Sequence, residues 1–415
     1  MRIFDNIHGY IELDPIAEAI VDTHVFQRLR NIHQTGVLYM VFPTATHSRF
    51  EHSIGTYHLA KRMICSIATK QPELGINDEI VTLVSIAGLC HDLGHLLFSH
   101  LFDDHFLEKL PNITELKSVT ANTCHENRSI FLLNYIVEQY KVPLNSDMIK
   151  VIADLINPKE SDYNKWKPKY MVGRWIFQII SNPINSIDVD KFDYLTRDTM
   201  AVGLKLGFDY SRIIADAKVI NNIICYSSQC SEDIYHMFFL RYRLHRQIYN
   251  HKAVKAIEII IVKILFELEE KFNISSYIMD PEKMLDLVDS FVLSAKGMKD
   301  IYMRKLPKMV YQDIQINKIE FDETKLKELF NSMDYNIIRF TVGYVGGKKN
   351  PLSNISFYNF KSGMIIPENK VKNFSLLINQ KHMEHFIRIY CMNPEIMDKM
   401  KDYLIQNKVD SDLSI

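Results

Sequence analysis

From about residue 15 to residue 270, apolar positions recur three and four apart, the spacing that gives a helix one buried face. The runs PIAEAIVDTHVFQRLRNI, SIGTYHLAKRMICSIA, EIVTLVSIAGLCHDL and VKAIEIIIVKILFELEEKF each predict such a helix. Breakers at Pro43, Gln71-Pro72, Pro111 and Pro158 punctuate the series, and Pro183 between Asn182 and Asn185 predicts a turn before another helix. The polar stretch 156–170, INPKESDYNKWKPKY, reads as a surface loop. Beyond about residue 310 the texture changes: IIRFTVGYV, ISFYNF and HFIRIYC are short and rich in aromatic and β-branched residues, as strands are, with GGKKNP as a turn between the first two. The pattern predicts a mainly α protein, with a multi-helix core over residues 1–290 and a smaller C-terminal α+β lobe over 291–415. No internal repeat or low-complexity tract suggests a solenoid.

Length supports the division, because single hydrophobic cores stop growing near ~250–300 residues and this chain has 415. With 49 Lys and Arg against 50 Asp and Glu, no global field draws the chain to nucleic acid or an anionic membrane. Six scattered cysteines without a C-x-x-C pair argue against a disulfide framework or a structural zinc cluster, and fit a reducing, intracellular compartment. The N-terminal MRIFDNIHGYIELDP lacks the apolar region of a signal peptide, and no apolar run approaches the ~18 residues of a membrane span. The expectation is a soluble, cytoplasmic protein without membrane association.

One stretch resists a purely structural reading. GLCHDLGHLLFSH, residues 88–100, sets three histidines and an aspartate among residues that otherwise read as buried helix, where unsatisfied polar groups are costly. His91 and His95 are four apart and share a face if one helix carries both, although Gly94 lies between them. His100 and Asp103 are three apart, so the carboxylate is placed to orient the ring. Upstream, THSRFEHSIG holds Arg49 and His52; downstream, NSIDVDKFDYLTRD holds Asp188, Asp190, Lys191, Asp193, Tyr194, Arg197 and Asp198. A helix starting at Asp190 carries Tyr194 and Arg197 or Asp198 on the same side. Two imidazoles and two carboxylates from three helices suit Fe, Mn, Zn, Ni or Mg, with positions left for water. Taken singly, such histidines are more often hydrogen-bonded core residues, and such acidic runs solvated faces; the clustering favours a metal.

In order, His52, His91-Asp92 and Asp190 match the metal signature of the HD-domain phosphohydrolases, which this sequence resembles. DNIHGYIEL, FQRLRNIHQTG, VFPTATHSRFEHSIGT, IAGLCHDLGHLLFSHLFD, NSIDVDKFDYLTRD and YRLHRQIYNHK are similar to the deoxynucleoside triphosphate (dNTP) triphosphohydrolases, in particular the vertebrate SAM-and-HD-domain members. The resemblance runs from residue 1 to nearly residue 400 and covers no SAM module. It implies cleavage of a dNTP at the α-phosphorus into a deoxynucleoside and inorganic triphosphate, with a divalent metal on His52, His91, Asp92 and Asp190 and a possible second Mg on the triphosphate. It also implies that Arg49, Lys191, Arg241, His95 and His245 receive the phosphates, that Gln34, Tyr194 and Asp198 hold the sugar, and that Tyr249 crowds its 2′ position. His100 with Asp103, or His125, protonates the departing oxygen. Thr35 stands where those relatives carry leucine, which weakens discrimination against ribose. Asp22, Gln27, Arg30, Phe50, Arg212 and Lys381 match residues that bind a guanine-nucleotide activator between subunits, so a homo-oligomer from dimer to tetramer is implied. Met1 or Arg2 replaces an expected lysine, Phe4 an asparagine, and the segment near 295–303 is shorter, which puts full activation in doubt.

Two rival readings stand beside this one. Another HD substrate, such as a guanosine polyphosphate, a cyclic dinucleotide or a nucleoside monophosphate, is compatible with the metal set alone. A nucleic-acid-binding protein is suggested by RYRLHRQIYNHKAVK, which interleaves Arg241, Arg243, Arg246, Lys252 and Lys255 with Tyr242 and Tyr249, and by AKGMKDIYMRKLPKM. Basic helices are more often solvated faces, so this is the weaker rival.

Overall fold

The computed structural model describes residues 1–205, 207–317, 321–344, 351–367 and 382–406. The protein is mainly α. A long helix, Arg49–Lys70, runs through the centre and packs on Asp78–Cys90 and Val189–Ala201. Its start is fixed by a capping box: the Glu51 carboxylate accepts from the Ser48 backbone N–H at 2.8 Å, and the Ser48 hydroxyl accepts from the helix's first turn. Two glycines let the backbones close up. A Cβ on Gly88 would lie 2.9 Å from the Thr56 carbonyl oxygen, and one on Gly55 would lie 1.9 Å from Asp193 Oδ1. Around this centre pack His125–Tyr140, Ser146–Ile156, Ser231–Arg243 and Lys252–Phe272.

The helix expected over 15–32 is broken into Pro15–Val21, His24–Gln27 and a 3₁₀ turn at Arg28–Asn31. Thr23 causes the first break: its hydroxyl donates to the Ile20 carbonyl and accepts from Phe26 N–H, so it ends one helix and caps the next. The stretch 156–170 is not a plain surface loop. Tyr163, Trp166 and Tyr170 are buried in the main core, and the Trp166 indole N–H donates to Asp154 at 2.7 Å. A polar majority hid three aromatic anchors.

Strands Lys308–Gln315, Met383–Cys391 and Tyr335–Gly343 form an antiparallel sheet with Met383–Cys391 in the middle. Helix Met397–Gln406 covers it through Met400 and Leu404, which form a small second core with Leu326, Phe330 and Ile389. Of the expected strand ISFYNF, only Phe357–Tyr358 is a strand; it pairs in parallel with Ile223–Ser227, away from that sheet. The main core accordingly continues past residue 290, through Met298 and Ile301, and takes in Leu352, Ile355 and Phe357. The GGKKNP turn lies almost wholly outside the described residues.

The sheet holds the polypeptide that follows Ser231–Arg243. Glu384 accepts from Tyr242 Oη at 3.0 Å and Arg246 Nε at 2.9 Å, Tyr390 Oη donates to the Lys252 carbonyl at 3.0 Å, and the Arg388 guanidinium donates to the Asn250 carbonyl. These contacts fix the segment that carries Arg241, His245 and Tyr249. Among the described residues no helix is long and apolar enough to cross a membrane, and all six cysteines are free thiols.

Candidate active site

Three helices deliver the first cluster. His52 lies one turn into Arg49–Lys70, His91 caps the C-terminus of Asp78–Cys90 with Asp92 after it, and Asp190 is in the first turn of Val189–Ala201. One nitrogen each of His52 and His91 and an oxygen of Asp190 lie within 4.8 Å of one another. His52 Nε2 is 3.1 Å from Asp190 Oδ1 and 3.3 Å from Asp92 Oδ2; His91 Nε2 is 3.5 Å from an oxygen of each.

The opposite ring nitrogens decide what this means. His91 Nδ1 is 2.8 Å from the Gly88 carbonyl, which only accepts, so Nδ1 carries a proton and, in the neutral ring, Nε2 holds a lone pair. His52 Nδ1 meets Asp193 Oδ2 at 2.7 Å, with the same consequence. Both Nε2 atoms are buried without a hydrogen-bond partner and face carboxylate oxygens. Lone pairs facing anions call for positive charge between them. The His52 pKa reflects it: burial works to lower it, but Asp190, Asp193 and Asp92 overcome burial and hold it well above the ordinary range. Two imidazolium rings with centroids 5.2 Å apart would repel, whereas one divalent cation satisfies both nitrogens and both carboxylates. The residues therefore fit a divalent metal.

Asp193 completes the support. It is fully buried, and besides His52 it binds His8 Nε2 at 2.7 Å and the Arg197 guanidinium twice at 2.9 Å; Arg197 also pairs with Asp5 at 2.9 Å. The N-terminal hairpin of Arg2–Asp5 and Gly9–Glu12 thus braces His52 through Asp5, His8 and their partners Arg197 and Asp193. The sequence places Asp193 and Arg197 in an acidic run and His8 near the N-terminus, and carries no signal that the three act together.

A second cluster adjoins the first. The ring nitrogens of His95, His100 and His125 come within 4.8 Å of one another, and His95 stacks on His125 at 4.0 Å between centroids. The expected pairing of His100 with Asp103 is not what forms. Asp103 Oδ1 accepts from Arg128 at 2.6 Å and Oδ2 lies 3.4 Å from His125 Nδ1, whereas His100 Nδ1 is 3.9 Å from Asp104. Leu101–Phe106 winds as a π-helix, so the i, i+3 geometry of an α-helix does not apply there. Nor do His91 and His95 share a helix, since it ends at Cys90. Arg128, absent from the expectations, is fully buried and ties this turn together by donating to the Gly94 and Asn122 carbonyls.

Both clusters face a cavity of about 590 Å³ lined also by Gln34, Thr35, Arg49, Lys191, Tyr194, Asp198, Arg241, His245 and Tyr249. Every residue expected at the substrate is in this wall. The Arg49 guanidinium pairs with Asp92 and donates from Nε to Ser99 Oγ at 3.0 Å; Lys191 is held by Asp188 at 2.8 Å. Asp198 accepts from Tyr249 Oη and pairs with His47 Nε2 at 2.6 Å, a histidine not foreseen. Gln34 Oε1 and Thr35 Oγ1 are buried without partners. His95 and His245 were expected among the groups receiving phosphate. Burial, then Arg49, holds the His95 pKa well below its ordinary value, and burial, then Arg241, lowers that of His245 to about 3. Both shifts work against a positive charge on these rings in the unliganded cleft, and both ring nitrogens of His95 are buried without a hydrogen-bond partner.

Asp22, Gln27, Arg30 and Phe50 line a separate cavity of about 340 Å³ beside the N-terminal hairpin. Arg30 lies 3.5 Å over the Phe50 ring and donates to Gln27 Oε1 at 2.8 Å. Phe4 and Met1 form part of its wall, while Arg212 does not and instead meets Asp233 at 3.5 Å; Lys381 lies outside the described residues.

Residues 49–198, which contain both histidine clusters, match the HD domain family. Over 96% of its length the chain is 34% identical to the deoxynucleoside triphosphate triphosphohydrolase SAMHD1 homolog of Dictyostelium discoideum, of which it covers 79%. It is 33% identical to the deoxynucleoside triphosphate triphosphohydrolase SAMHD1 of Homo sapiens, over 94% of this chain and 70% of that one. An HD domain-containing protein of Acanthamoeba polyphaga mimivirus, L394, is 33% identical over 95% of this chain and 92% of its own. The chain therefore belongs to the HD-domain deoxynucleoside triphosphate triphosphohydrolase family.

Proposed function

We propose that this protein hydrolyses dNTPs at the α-phosphorus, releasing a deoxynucleoside and inorganic triphosphate, with a divalent metal on His52, His91, Asp92 and Asp190. The observation that carries the reading is the pair of imidazole lone pairs fixed toward two carboxylates on the wall of a cleft that also holds Arg49, Lys191 and Arg241. When bound, the metal supplies Lewis-acid polarisation of the phosphoryl oxygens and acidifies a water. Arg49, Lys191 and Arg241 neutralise the triphosphate and hold its α-phosphorus in line. A water oxygen bonds to phosphorus as the P–O5′ bond breaks, and the electron pair left on O5′ takes a proton from His100 or His125. The donor needs a proton at neutral pH; burial, then Arg49, lowers the His100 pKa to about 4, and the triphosphate's negative charge opposes that shift. Gln34, Tyr194, Asp198 and Tyr249 hold the sugar. Fe, Mn, Zn, Ni and Mg all suit the donor set, and a second Mg rides on the triphosphate.

Incubation with each dNTP is expected to yield inorganic triphosphate by ion chromatography, and stripping divalent metal to abolish it. Pyrophosphate or orthophosphate in its place would move the cleaved bond and refute the reading. Thr35, with its free hydroxyl, is expected to permit ATP turnover at a lower rate than dATP; equal rates would overturn the assignment of dNTPs as the substrate class.

The smaller cavity supports binding of a guanine nucleotide that activates a homo-oligomer, dimer to tetramer. GTP is then expected to raise dNTP turnover and the mass seen in light scattering, and Arg30→Ala to lose that response; a strictly monomeric active enzyme contradicts it. A cytoplasmic location completes the proposal.

A further inference from the structure

Asp289 lies far along the chain from either cluster, yet its buried carboxylate joins two walls of the cleft. Oδ2 accepts from the His33 backbone N–H at 2.8 Å and meets His33 Nδ1 at 2.6 Å, while Oδ1 accepts from the Phe98 backbone N–H at 2.6 Å. Phe98 begins an unusual corner. It and Ser99 have φ of 54° and 58°, two consecutive non-glycine residues in the left-handed region, and His100 follows at once. Such a conformation is costly for residues with a Cβ and persists only where its surroundings impose it. The His33 side of the brace is itself anchored. Arg49 N–H donates to the Ile32 carbonyl at 2.9 Å, and Ser99 Oγ donates to the His33 carbonyl at 2.9 Å.

We infer that Asp289 is a positioning residue: by pinning the left-handed corner at Phe98–Ser99 to His33, it fixes the His100 ring in the cleft and so governs proton delivery to the departing oxygen. Arg49 meets both ends of the brace, through the Gln34 carbonyl and Ser99 Oγ, but its ion pair with Asp92 does not depend on Asp289, and the proposed metal ligands lie on other elements. Loss of the brace therefore falls first on the corner that carries His100. The inference rests on the hydrolysis proposed above.

The test compares two substrates: a dNTP, whose 5′-alkoxide needs a proton to leave, and p-nitrophenyl triphosphate, whose phenolate does not. Asp289→Ala is expected to lower kcat on the dNTP by about a hundredfold, and on the aryl triphosphate by less than about threefold. Asp289→Asn, which keeps one acceptor oxygen, should fall between wild type and Asp289→Ala on the dNTP. Divalent metal per chain should match wild type throughout. Asp289→Asn carries the same comparison, with a smaller expected difference, if Asp289→Ala does not fold. Equal slowing on both substrates, or no slowing on the dNTP, overturns the inference while leaving the activity standing. Wild-type protein that releases no triphosphate from any dNTP overturns the activity and the inference together.

Discussion

Asp190→Asn is expected to lower triphosphate release from a dNTP by on the order of a thousandfold, the several kcal/mol that Lewis-acid assistance supplies. In the metal-free protein Asp190 Oδ1 lies 3.1 Å from Nε2 of the buried His52 and is one of the carboxylates that overcome burial to raise the His52 pKa, so the substitution also removes a partner of that ring. Metal retention is the direct readout: after dialysis the variant should hold less divalent ion per chain than wild type. Full metal content with wild-type turnover would remove Asp190 from the ligand set.

Asp193→Ala, by contrast, should damage both activity and stability. The carboxylate has four nitrogen partners, from His52, His8 and Arg197, and both Asp193 and Arg197 are buried. Removing one partner of such a buried ion pair costs about 3–5 kcal/mol, because the other is left with too little compensation. His52 loses the group that fixes its tautomer, which costs a further ~10–100-fold in metal affinity. Gly55→Ala reaches the same place from the other side, since its methyl would overlap Asp193 Oδ1 and lie 2.7 Å from Arg197 Nη2. Thermal unfolding should fall for both variants, and a chelator competition titration should show weakened metal binding. Normal stability in both would show that the network bears no strain from the missing charge or the added methyl.

The contrast between these variants follows what the sequence made legible. His52, His91, Asp92 and Asp190 stand in short, dense motifs, and their chemistry, two rings with two carboxylates, is readable before any coordinates. The mainly helical architecture is readable too, because a 3.6-residue period survives in segments as long as Arg49–Lys70. Their supports are not readable. Asp193, His8, Arg128 and Asp289 each have a decisive partner between 25 and 256 residues away, and nothing in a linear pattern names a partner at such separations. Asp103 was assigned to His100 because spacing on an α-helix was assumed, and the left-handed corner at Phe98–Ser99 with the π-turn after it invalidates that count. Thr23 and the aromatic anchors of 156–170 were hidden for a related reason: one hydroxyl or three rings decide the local course against the average of their neighbours.

The N-terminal hairpin has a consequence for biosynthesis. Its His8 and Asp5 reach the metal centre through residues 193 and 197, so a nascent chain still inside the ribosome at residue 190 owns the hairpin and both imidazoles but lacks the carboxylate and the brace that join them. With the proposed ligand set, the four side chains coexist only once residue 190 has been added, and their support by Asp193 and Arg197 only once residue 197 has.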